Sequence, residues 1–200
     1  MKRTPEPAAF PFAAAAAAVM LWTIETVAER QHIPFTTFAD YLIEAAFALT
    51  LATGVLAVVA LRAAHAPAPG WGRLGEAGAL LYGLGQATVL VPATVTLVTA
   101  DELPLPQALF LPGFALWAAG TALVSVGAYR AAVLPRPLAV LLPASFVLMF
   151  VLGDAGELAT AATWAVVGVR LRAARRRDRA AADHPARPEA LSETPSSKDE

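Results

Sequence analysis

The sequence predicts an all-α fold, a polytopic bundle of six transmembrane helices with both termini cytoplasmic. Hydrophobic residues fill 57% of the 200 positions and charged residues only 16%, against about 25% charged in soluble domains, and the mean hydropathy is +0.56. The apolar runs 77–100 and 103–129 exceed the roughly 18 residues that mark a bilayer crossing. The third observation, the placement of basic residues, sets the orientation.

The spans fall at 8–27, 40–61, 74–98, 106–129, 137–152 and 155–171. Hydrocarbon offers a backbone amide no partner, so runs of this length satisfy their own N–H and C=O groups as helices. Lys2 and Arg3 precede the first span, whose uncharged stretch is longer than the 7–15 residue core of a typical export signal, so it reads as a retained anchor. Phe35, Phe38 and Tyr41 on one side and Trp71 and Tyr129 on the other suit interfacial belts, while Trp22, Trp117 and Trp164 suit the core. In the third span Gly75, Ala79, Gly83 and Ala87 recur every fourth residue. In the fourth, Ala115 with Ala119 and Ala118 with Ala122 do the same, which predicts close packing of these two helices within the chain. Pro92 and Pro143 each remove an amide donor and predict kinks, with Thr88 and Ser145 placed to bond the freed groups. Gly153 and Asp154 divide the last hairpin, and Glu157 three residues after Asp154 resembles a capping box. Fusing 138–169 into one overlong helix would instead put six arginines on the outer face, against the charge rule.

Sorting the basic residues by loop fixes the sidedness. Lys2, Arg3, Arg62, Arg73, Arg130, Arg136 and the arginines at 170, 172, 175, 176, 177 and 179 fall on one side, and Arg30 alone on the other. The positive-inside rule then places both termini in the cytoplasm, in the cytoplasmic (inner) membrane. Arg172, Arg175, Arg176 and Arg177 are the expected contacts to anionic headgroups of the inner leaflet. The tail, 173–200, is basic and then acidic: Arg175 to Arg179 continues a basic helix end, and beyond Asp183 the chain is too poor in apolar groups to fold. Around the second inner turn, Arg130, Leu134, Pro135 and Arg136 resemble a recurring element of uncharacterised small multi-span bacterial membrane proteins. There a helix ends in a basic residue, a Leu-Pro-Arg turn follows and the next span begins. The resemblance covers about a tenth of the chain, departs from the pattern at Pro137, and implies topology and localisation alone.

Composition also removes whole classes of chemistry. Without cysteine there are no disulfides, thiolate metal sites or cysteine nucleophiles, and His32, His65 and His184 are too dispersed to pair across a haem or zinc. Phosphate-loop, dinucleotide, HExxH and nucleophile-elbow patterns are missing, so no catalytic residue, metal or cofactor is assigned and no nucleic-acid partner is expected.

One constellation carries chemistry. Glu25 and Glu29 end the first span, Asp40 and Glu44 begin the second, and Asp101, Glu102, Asp154 and Glu157 occupy the other outer turns. A charge within hydrocarbon is costly, so Glu25 and Glu44 most need an explanation. The candidate cation or solute site is therefore Glu25, Glu29, Asp40, Glu44 and Glu157, with proton-coupled release as its mechanism. Two other readings stand beside it: a metal site through the Glu29-x-x-His32 spacing, which lacks a second such pair, and acids resting at the headgroups. At the level of function, the leading expectation is a non-catalytic accessory or interaction protein, with a membrane-protein partner or a second copy. The alternative is a small transporter of cations or cationic solutes.

Overall fold

The computed structural model describes residues 9–28 and 31–183. The helices are α1 (Ala9–Val27), α2 (Phe38–His65), α3 (Gly72–Thr99), the single turn α4 (Pro104–Gln107), α5 (Phe110–Ala131), α6 (Arg136–Leu152) and α7 (Asp154–Asp183). No strand occurs among the described residues. By length and composition α1, α2, α3 and the stretch Pro104–Ala131 can each cross a membrane. The apolar α6 has 17 residues, about 25 Å of helix against a hydrocarbon core of about 30 Å. A break does separate it from α7, at Gly153, whose positive φ of 56° an L side chain rarely adopts. α7 extends past the expected end of the last span to Asp183, so Arg172, Arg175, Arg176 and Arg177 are helical residues.

The six long helices form a ring in chain order. α1 packs on α2, α2 on α3, α3 on α5, α5 on α6, α6 on α7, and α7 closes back onto α1. Contacts between loops fix the two ends. At one, the Phe35 amide of the α1–α2 loop donates to the Ala100 carbonyl beyond α3 at 2.8 Å. At the other, Gly70 of the α2–α3 loop lies against the backbone of Arg130 at the end of α5. Trp71 is buried at this second end rather than standing in an interfacial belt. Its ring packs on the buried His65, and its indole donates to Glu76, which also pairs with Arg62 at 2.6 Å.

The most extensive contact is α3 against α5, the pair expected; Gly75 of the expected stripe lies in the seam, but most of the seam is made by other residues. Gly113, Gly120 and Gly127 recur every seventh residue on α5 and meet Val89, Tyr82 and Gly75, while Gly78 and Gly85 on α3 meet Val124 and Trp117. A Cβ at Gly120 would run into the Tyr82 backbone and one at Gly85 into that of Trp117, so the two backbones approach closely where the opposing helix has no side chain. A sevenfold repeat keeps such a seam facing its partner along the helix. Ala87, Ala115, Ala119 and Ala122 point outward, and Gly83 has open space beside it. Both helices are apolar all round, so hydropathy did not distinguish the inner face.

Both prolines lie within helices. The carbonyl freed by Pro143, that of Ala139, accepts from Ser125 Oγ of the neighbouring α5 at 2.7 Å, whereas Ser145 donates to Leu142 within α6. Thr88 likewise serves its own helix, donating to Leu84 at 2.8 Å.

Candidate functional site

Four features bring side chains together at the end of the ring that carries the α1–α2 loop. Leu21 of α1 packs with Ile43 and Ala46 of α2, and Glu25, one turn beyond Leu21, and Glu44, between Ile43 and Ala46, face a common space. The loop between them returns Gln31, whose Nε2 donates to Glu44 Oε2 at 3.2 Å and to the Asp40 carbonyl at 3.4 Å. Beyond α3 the chain reverses through Ala100 in the left-handed region, and the Asp101 carboxylate accepts from the Glu102 amide at 2.8 Å. α4 then places Gln107 over the end of α3, with its amide 3.3 Å from Thr96 Oγ1.

These residues enclose a cavity of about 270 Å³ lined by Glu25, Glu44 and Glu102, the amides of Gln31 and Gln107, and the ring of Phe47. No lining side chain among the described residues is basic. Glu44 lies two turns inside α2 and is only 8% exposed, so it depends on Gln31 and on whatever occupies the cavity to offset its desolvation.

Asp40, expected beside Glu44 as a site residue, has a different role. At 1% exposure its carboxylate accepts from the amides of His32, Thr36 and Thr37 at 2.7–2.9 Å and from the Thr37 hydroxyl at 2.9 Å, and Thr37 in turn caps α2. This is a capping box that also organises the loop, and it leaves the carboxylate no open side for a solute. His32 Nδ1 stands 3.4 Å from the same carboxylate, so His32 belongs to this loop. Glu29 lies outside the described residues.

Glu157 does not join the outer group. The first turns of α7 carry it inward, where it is buried and lines a chamber at the ring's centre with Gln86 and Tyr82 of α3. Arg172, Arg175, Arg176 and Arg177 lie at the opposite end of α7, with the Arg172 guanidinium 5.3 Å above the Phe12 ring. Among the described residues no cluster of three potential metal ligands occurs.

Sequence reasoning counted Glu102 among the outer acids without assigning it to the site, and it passed over Gln31, Gln107 and Gln86. A neutral amide in or beside an apolar span is the signal that finds them, because like a charge it needs a partner away from water. Comparison with known proteins yields no match, whether to family models, curated proteins or solved structures.

Proposed function

We propose that the protein is a six-span integral membrane protein of the cytoplasmic membrane that binds, and carries inward, a small cation or cationic solute through its outer cavity. The observation that carries this reading is the convergence of Glu25, Glu44 and Glu102 on one space with amide side chains and no basic lining residue among those described. A cation there would offset a carboxylate otherwise held away from water, and the amides would orient its donors. The accessory-protein reading gains no comparable support, since it needs no cavity.

In this proposal α6 and α7 also cross, which agrees with their place in a closed ring, and the arginine distribution sets both termini inside. Arg172, Arg175, Arg176 and Arg177 then meet the anionic inner leaflet. A periplasm-dependent reporter enzyme fused to the carboxyl end should stay silent; strong activity would overturn the topology.

The function is tested in proteoliposomes with radiolabelled methylammonium and tetraethylammonium as probes. Saturable uptake of either should be abolished by Glu44→Gln and strongly reduced by Glu25→Gln. Undiminished uptake in both variants would return the protein to the accessory class.

A further inference from the structure

Inside the outer cavity, and separated from it by Phe47, which lines both, the ring encloses a second space. It consists of two adjoining cavities of about 20 Å³ each, sharing Tyr82, Trp117, Met149, Thr160 and Trp164. Each has room for about one water molecule. Gln86, at the midpoint of α3, is 2% exposed and lines this space, its amide lying against Gly54 of α2 where a Cβ would displace it. Its Nε2 reaches the Tyr82 hydroxyl at 3.4 Å, while its Oε1 is buried with no hydrogen-bond partner in the protein. A buried amide oxygen left in this state costs stability unless something donates to it.

The surrounding chemistry selects the donor. Thr50 beside Gln86, and Thr121 and Ser145 in the adjoining cavity, each give their single hydroxyl proton to a carbonyl of their own helix, at 2.8–2.9 Å, so these three oxygens present lone pairs, while the Tyr82 hydroxyl keeps its proton. Glu157 adds a carboxyl group, and the rings of Tyr82, Trp117 and Trp164 form aromatic walls. A water-sized space rich in acceptors, supplied with a carboxyl group and walled by aromatic rings fits a compact cation with donors or charge on every side.

We infer that this chamber binds a single monovalent cation of the size of ammonium or potassium, held by Gln86 Oε1 and the Glu157 carboxyl group. The inference deepens the proposed function, on which it rests for supply: a cation collected at Glu25, Glu44 and Glu102 reaches the chamber by displacing Phe47.

Trp117 and Trp164 provide the readout. With the full chain in nanodiscs, tetramethylammonium chloride, too large for the chamber, is exchanged for ammonium or potassium chloride at fixed ionic strength. Tryptophan fluorescence should then change saturably. Gln86→Leu and Glu157→Gln should each weaken the apparent affinity about tenfold or more, the effect of losing one hydrogen bond to a charged group. Gln86→Glu, which adds a carboxylate, should tighten it, so the inference does not depend on variants that only lose function. No saturable response, or one unchanged in both Gln86→Leu and Glu157→Gln, would overturn the chamber site. Probe uptake that depends on Glu44, with no chamber response, would sink this inference and spare the proposed function. Uptake indifferent to Glu25 and Glu44, with a response lost in Gln86→Leu, would do the reverse.

Discussion

Asp40 and Glu44 are the same chemical group one turn apart on one helix, both buried, and the protein treats them oppositely. Asp40 accepts from three backbone amides and a hydroxyl, and Glu44 from one side-chain amide at 3.2 Å beside a cavity. A carboxylate surrounded by fixed donors is a structural element, because its solvation has been replaced by the fold. One that faces a cavity with a single donor keeps an open side, the feature on which the proposed cation site rests. Burial alone does not separate the two cases, but the donors around each carboxylate do.

The contrast can be broken in graded steps. Asp40→Ala strips the loop of its organiser and should lower the thermal midpoint by about 10 °C, read by tryptophan fluorescence in detergent micelles. Thr37→Val removes the cap hydroxyl but leaves the carboxylate its backbone donors, and should cost about 1 kcal/mol in the same assay. Glu44→Gln should change stability least, by about 0.5 kcal/mol or less, since a neutral amide is easier to bury and Gln31 remains a neighbour. A Glu44→Gln loss as large as that of Asp40→Ala would mean that the two carboxylates share a structural role. A separate gain is expected at Ala132, an exposed residue in the left-handed region at φ 55°: Ala132→Gly should stabilise by about 1 kcal/mol.

Much of the architecture was legible in the sequence. The apolar runs located the helices, and Gly153 marked the break before α7, because long uninterrupted apolarity and a residue free to take positive φ are local properties. Which face of each helix looks inward was not legible from hydropathy, since lipid and core are equally apolar. The sevenfold spacing of Gly113, Gly120 and Gly127 held that information, and the fourfold alanine pattern pointed to the wrong side. At the site, Glu25 and Glu44 stood out because their position in the spans is itself improbable. Grouping acids by chain position set Asp40 and Glu157 beside Glu44, and it ignored that a neighbouring loop satisfies the first and that a helix carries the second inward to a different cavity.

The ring's closure by its last helix has a consequence for how the molecule is made. Glu157, Thr160 and Trp164, which complete the central chamber, all belong to α7, which is synthesised after the five other long helices of the ring. Without α7 the Gln86 amide would border an open groove rather than a closed space. The polar interior is therefore complete only once α7 has packed.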